Sequence, residues 1–430
     1  MVSNNLDEST YSFGIETLQS WRLALERRGV TDKRLREFPF KEVLKLYHKY
    51  GKLGVDARLL EELVQTQNFI HQHASGSDSF IYRFLNTLCD ILLDQHYKTF
   101  NYNTYTGVPI FELIQTYLAE YEPDDFAKCL EVQSSLIIAI LCEMLCFEIQ
   151  ALHQMDTAPS SKKIMIPKLK QRILLALCAL KEFRMLTNRV LLPSSLDDLI
   201  GSWRDEVQSP LTCSPLLGEQ ALQMVEEILL QTGSEVRLSL KMSVFPISFS
   251  HDENMFIRLT QLFERFFNII ATGLQASVHA SYAYRFDEAA GIIQKITEIF
   301  KLSSSITSIF STLPEEHFAF IRLITEKANA TESKQLKRII KLSTFSTRDE
   351  DKSFLTMHDI FNRLLQDPII LGHPSFIVLV ENMRMLDETY RKWKKANEQM
   401  TTMLMGKLNK SYFEHTMFPF LARKASQMYP

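Results

Sequence analysis

The chain has no excess charge of one sign, no paired cysteine spacing and few turn-forming residues. Its 48 Lys and Arg against 51 Asp and Glu leave a formal net charge of −3 over 430 residues, which gives no electrostatic footprint for nucleic acid. Lys162-Lys163, Lys337-Arg338 and the run Arg391 to Lys395 are short and mixed with acids or apolar residues, so they read as solvated helix faces. The six cysteines, Cys89, Cys129, Cys142, Cys146, Cys178 and Cys213, have no C-x-x-C spacing, and a reducing compartment without disulfides is expected. Cys142 and Cys146 share a helical face that a metal could use, although core packing explains them more simply. Met1 to Glu8 has neither a basic nor an apolar leader pattern. The longest apolar run, Ser135 to Phe147, contains Glu143 and is too short to cross a bilayer. A cytoplasmic protein without nucleic-acid or membrane partners is the expectation.

Only 13 Gly and 14 Pro punctuate the chain, while hydrophobic residues make up 46% and charged residues 23%. That balance suits a folded, all-α helical bundle. Helices are expected over Glu16 to Arg28, Lys41 to Tyr50, Ala57 to His71 and Ser79 to His96, with Gly29, Gly51-Gly54 and Gly76 as stops.

Beyond residue 101 the pattern repeats. Helices over Val132 to His153 and Pro167 to Val190, joined by a polar linker from Asp156 to Lys163, precede Leu192-Pro193. Helices over Glu253 to Leu274 and Phe286 to Phe310, joined by a linker from Val278 to Arg285, precede Leu313-Pro314. Glu131 and His251 lie 120 positions apart, and Pro193 and Pro314 lie 121 apart. Each copy is a helical hairpin followed by a Pro suited to the first turn of a third helix. Tandem related units account for this, although two unrelated hairpins would share the same apolar period.

The second copy carries the chemical signal. His251-Asp252-Glu253-Asn254-Met255-Phe256-Ile257 runs into Gln261, Phe263-Glu264 and Phe266-Phe267. Further on come Leu313-Pro314 to Arg322, then Leu386-Asp387-Glu388, Trp393, Met400 and Gly406. Order and spacing resemble the tryptophan 2,3-dioxygenase family, in which a His-Asp-Glu-His-Leu-Phe-Ile helix lines a heme pocket for an aromatic amino acid. Tyr102-Asn103-Thr104-Tyr105, ahead of Ile110 to Ile114, is similar to a pocket-closing segment that the family borrows from a neighbouring subunit. On this resemblance, residues 1–100 form an N-terminal helical region, 101–212 a degenerate dioxygenase-like unit and 213–245 a helical connector. Residues 246–430 form the unit carrying the His-Asp-Glu motif.

The resemblance implies that His251 orients the substrate ring and Arg322 pairs with its carboxylate, with Tyr102, Tyr105 and Phe256 around an aromatic amino acid or indole-type ligand. His251 also suits a first helical turn in which Ser250 and Glu253 form a capping box, and Asp252 and Glu253 suit the helix dipole. Asn397 stands at the family's axial-ligand position, where a carboxamide is a poor partner for heme iron. Met400, one turn on, offers a thioether instead, or ordinary packing. The family's ammonium-binding glycine loop is missing after Gly406, where Lys407-Leu408-Asn409 follows. Two readings stand side by side: a heme- and O2-dependent oxidation of an indole or aromatic amino acid, or a catalytically degenerate ligand-binding, structural or interaction protein without heme. A homo-oligomer fits either.

Overall fold

The computed structural model describes residues 4–73, 79–118, 125–156, 165–186, 192–209, 214–248, 250–325, 332–343 and 356–405, and side chains are described from residue 12 to residue 399 within those segments, Asp156 and Met185 excepted. Every regular element among them is helical. The chain begins with α1 (Asn4–Arg28), α2 (Asp32–Leu35), α3 (Phe40–Gly54), α4 (Ala57–His73), α5 (Phe80–Leu92), α6 (Tyr102–Tyr105) and α7 (Val108–Leu118). Then come α8 (Phe126–Asp156), α9 (Ile166–Phe183), α10 (Leu196–Gln208), α11 (Pro215–Leu230) and α12 (Ser234–Lys241). Two long helices follow, α13 (His251–Tyr282) and α14 (Phe286–Phe310), and then α15 (Glu315–Ile324), α16 (Lys334–Ser343), α17 (Met357–Leu364), α18 (Pro368–Leu371) and α19 (Pro374–Met405).

Several boundaries differ from the sequence reading for local reasons. The stretch from Val278 to Arg285, read as a linker, is helical to Tyr282, because Val278 and Ala280 are buried and extend the apolar face of α13. Gly51 sits inside α3 with φ +67° and kinks it, and helix resumes to Gly54. Ile340 to His373 holds the end of α16 and all of α17 and α18. Residues 157–163 of the first expected linker, Gly76, Cys213 and Gly406 lie outside the described residues.

Contacts divide the chain into two units. The first gathers residues 1–120, 232–261 and 320–330. In it α1 packs on α3 and α4, α5 on α4 and α7, and α7 on α12. Trp21 donates to Arg34 O at 2.9 Å and stacks edge-on with Phe38 at 5.1 Å. Arg22 joins α1 to α4 through a bidentate contact with Glu62, both side chains being largely buried.

The second unit holds residues 121–231, 262–319 and 331–430. Its most extensive pairing is α14 with α19, followed by α8 with α11 and α9. Asn382 Nδ2 donates to Ala290 O at 3.0 Å and ties α19 to α14. The run from Ser135 to Phe147 lies in a helix that extends beyond the expected Val132 to His153 at both ends. Phe126–Met155 is long and apolar enough, by length and composition, to cross a membrane, but 67% of its most apolar window is buried inside the protein, as in a core helix. Two buried cations of this core have carboxylate partners. Arg172 Nη1 meets Glu148 at 2.9 Å with both side chains buried, and Arg172 Nε donates to Thr312 Oγ1 at 3.0 Å. Lys170 reaches Glu206 Oε1 at 2.6 Å and the backbone oxygens of Glu206 and Ser209 at 3.1 and 3.0 Å. A cation thus closes the C-terminal end of α10, where unpaired carbonyls concentrate negative charge.

Removing one member of a buried pair strands the other charge. Arg172→Ala is expected to lower stability by about 3–5 kcal/mol in urea denaturation, and Arg172→Met combined with Glu148→Leu to recover most of that loss.

Candidate functional site

The site is built where residues 242–248 precede α13, within the first unit. Two glycines let this segment approach other backbone. Gly51, at φ +67°, has Ile247 O and Ser248 O where a β-carbon would stand, the latter 2.7 Å from it, and the neighbouring Lys52 and Leu53 amides donate to Pro246 O and Ile247 O at 2.8 and 3.2 Å. Gly107, at φ +64°, lies similarly close to Ser243, whose backbone oxygen would be 2.6 Å from a β-carbon. A side chain at either position meets backbone rather than a movable group.

Side chains of α13 hold the same segment. Gln261 Nε2 donates to Thr106 O at 3.0 Å and Ser243 O at 2.9 Å, and its oxygen accepts from Arg258 at 2.9 Å. Arg258 also donates to Ser243 Oγ and Leu240 O, both at 3.0 Å. Glu253 accepts from Ile247 N at 2.7 Å, Ser248 N at 2.9 Å and Ser248 Oγ at 2.5 Å. The capping role expected of Glu253 is therefore served upstream of Ser250, on residues 247 and 248. A helix N-terminus holds its carboxylate by charge, and the carboxylate in turn satisfies backbone donors of the loop.

Beneath this arrangement lies a buried ion pair that the sequence reading missed. Lys52 Nζ stands 2.7 Å from Asp94 Oδ2, and neither side chain is exposed. Burial pushes the Lys52 ammonium below its ordinary range, and Asp94 and then Glu253 oppose that shift. The Phe100 ring lies 5.8 Å from the same ammonium. Nothing in the sequence around Lys52 distinguishes it from a surface lysine. The signal that could have found it is Gly51, an isolated glycine in a helical pattern.

Tyr102 and Tyr105 are brought to the same part of this unit. Asn101 caps α6 in a reciprocal box with Thr104 and fixes both tyrosines in one short turn. Both are buried in a cluster with Val244, Ile247 and Ile257, flanked by Phe100, Phe256 and Ile324. The Tyr105 ring is 6.4 Å from Phe256 and 5.9 Å from Phe100. Burial and the neighbouring Glu253 carboxylate raise the Tyr105 phenol well above its ordinary value, while Arg322 acts in the opposite direction. Glu253 itself is raised, first by burial, against the lowering effect of its bonds from Ser248 and Ile247. His48, bonded to Val244 O at 2.9 Å, is lowered by burial.

Arg322, near the end of α15, is half-buried and within electrostatic reach of Tyr105. His251 is the first residue of α13 and half-buried. The first unit thus contains His251, Phe256, Tyr102, Tyr105 and Arg322, gathered from stretches of chain up to 220 positions apart.

Asn397 and Met400 belong to the second unit. Asn397 Nδ2 donates to Trp393 O at 3.0 Å, and its Oδ1 accepts from Thr307 Oγ1 at 3.4 Å. The carboxamide is thus engaged in tying α19 to itself and to α14, and as an iron ligand it does not fit. Trp393 is packed against Phe263, Phe267, Phe300 and Tyr390 at ring distances of 5.7–6.1 Å. The Met400 side chain lies outside the described residues. Among the described residues, no group of three His, Cys, Asp or Glu side chains is arranged to hold a metal ion.

Comparison with known proteins adds no neighbour: no family model, curated protein or solved structure matches the chain.

Gly51→Ala and Gly107→Ala are each expected to cost at least about 1–3 kcal/mol, since both demand a positive φ and a close backbone approach. Gly201→Ala, in a helix with open space around it, should instead stabilise by up to about 1 kcal/mol. Urea denaturation of the three variants checks the contrast.

Proposed function

We propose that this chain is a catalytically degenerate relative of the tryptophan 2,3-dioxygenases that works without heme and binds an aromatic amino acid or indole-type small molecule. The observation that carries the ligand is Arg322. Its side chain is half-buried and within electrostatic reach of the buried Tyr105, against whose cluster Phe256 packs, and among the described residues it has no carboxylate partner. A planar cation beside aromatic rings is matched to a ligand that joins a carboxylate to an aromatic side chain. His251, at the head of α13, would orient the ring nitrogen.

The argument against heme is chemical. Asn397 is a weak ligand by type, and both ends of its carboxamide are already hydrogen-bonded. The oxygenase reading survives only with another axial ligand, for which Met400 is the nearest thioether in sequence. Tandem duplication is part of the same proposal: α8 and α13 span 31 and 32 residues, and each precedes a second long helix. In that ancestry Glu131-Val132-Gln133 stands where the second copy has His251-Asp252-Glu253, so the first copy supplies structure and lends Tyr102 and Tyr105. The unpaired cysteine spacing suits a reducing, cytosolic setting.

Hemin titration followed by absorption should give no Soret band beyond that of free hemin, while L-tryptophan binds and Arg322→Ala weakens it at least about tenfold, the scale of losing a charge-assisted hydrogen bond. A one-to-one Soret complex that responds to L-tryptophan and is lost in Met400→Ala would overturn the heme-free reading. Absence of L-tryptophan binding would overturn the ligand.

A further inference from the structure

Exposed apolar side chains of the second unit gather on two consecutive helices. Ile369 of α18 and Ile377, Val378 and Met385 of α19 are 41–83% exposed, and α18 packs against α19. On α19 they accompany a charged stripe. Ile377, Glu381, Arg384, Glu388, Arg391 and Lys395 follow one another at alternating steps of four and three residues, which keeps them on one side of the helix, and all six are exposed. Within the helix Arg384 meets Glu381 at 3.2 Å, Arg391 meets Asp387, and Lys392 comes to 3.8 Å from Glu388.

We propose that a second copy of this chain docks on that stripe in antiparallel orientation, making α19 the two-fold interface of a homodimer. The order of the charges argues for this occupant. Read from Glu381, the stripe runs acid, base, acid, base, and Arg384 with Glu388, Glu381 with Arg391, and Ile377 with Lys395 are each centred on residue 386. A two-fold axis at that point sets each acid of one copy against a base of the other, and Ile377 against the aliphatic stem of Lys395. Symmetry makes each of these contacts twice.

Other arrangements are opposed by the same charges. Parallel helices in register place each charge against its own copy. Sliding the antiparallel pair by one turn sets Glu388 against Glu388 in one direction and Arg384 against Arg384 in the other, so the register is specified as well as the orientation. Exposed ion pairs alone hold two proteins weakly. Val378 and Met385 add apolar area, since they lie seven residues apart along one edge of the stripe and lose water when the copies close. From Ile377 to Lys395 the stripe is about 27 Å long. A contact of that length lies at the small end of specific interfaces, and dissociation in the micromolar range is expected.

Sedimentation velocity of the full chain from about 1 to 100 μM tests the proposal. The expected result is a dimer that fills across that range and weakens severalfold when NaCl is raised from about 0.05 to 0.5 M. Arg384→Glu and Glu388→Arg should each weaken self-association at least about tenfold, because each sets like charges face to face at two symmetry-related places. An equimolar mixture of the two variants should restore the dimer, since the acids of one chain then face the bases of the other. Should either variant fail to fold by circular dichroism, the chain carrying both exchanges, whose charges are complementary again, should associate as the wild type does, and its failure to do so overturns the pairing. A dimer that both single variants retain overturns the proposal, as does a mixture that stays monomeric. A wild-type chain that is monomeric throughout overturns it too and leaves the stripe to a different partner.

Discussion

The carboxylate of Glu253 is the constraint on which the first unit turns. Two backbone amides and one hydroxyl from residues 247 and 248 end on it. Without that acceptor the segment entering α13 would bury donors with nothing to receive them. The course of the segment then sets the rest. It must run close enough to α3 and to the start of α7 that only glycine fits at positions 51 and 107. It also presents Val244 and Ile247 to the tyrosines of α6. A polar requirement therefore determines where an apolar cluster forms.

Charge is treated alike in the two units, although their helices are unrelated in order. Lys52 with Asp94 in one, and Arg172 with Glu148 in the other, are pairs fully withdrawn from water. Such pairs add little net stability over apolar replacements, yet they penalise any packing that separates them. Long amphipathic helices can slide or rotate against each other at small cost, and a buried pair removes that freedom. Asn382, Gln261 and Arg258 act in the same sense through neutral or charge-assisted hydrogen bonds.

How much was readable in the sequence follows from which forces are local. Helix type and approximate extent are local, and Phe286 to Phe310 was read to the residue because Arg285 and Ser311 flank a sustained apolar period. Val278 to Arg285 was misread because its exposed residues, His279 and Tyr282 to Arg285, mask the buried Val278, Ala280 and Ser281 that continue the inner face of α13. His251, Phe256, Tyr105 and Arg322 were legible as chemical types in a family-like order. The carboxamide of Asn397 was legible as a weak ligand, but not its engagement with Thr307. Lys52 and Asp94 were invisible, since burial of a charge depends on partners 42 positions apart. The proposed ligand contacts therefore rest on residues named from sequence, and the buried charges around them on residues that only the fold identifies.

The first unit is assembled from three separated stretches of chain, residues 1–120, 232–261 and 320–330. During synthesis, the amides of Lys52 and Leu53 must wait about 200 residues for the carbonyls of Pro246 and Ile247. The helices before residue 120 thus leave the ribosome with one edge unfinished, while 121–231 emerges before they can close. A chain stopped before residue 246 leaves the Lys52 and Leu53 amides without these acceptors and Tyr105 without downstream cluster partners such as Ile247 and Ile257. Such a fragment is a natural target for chaperones.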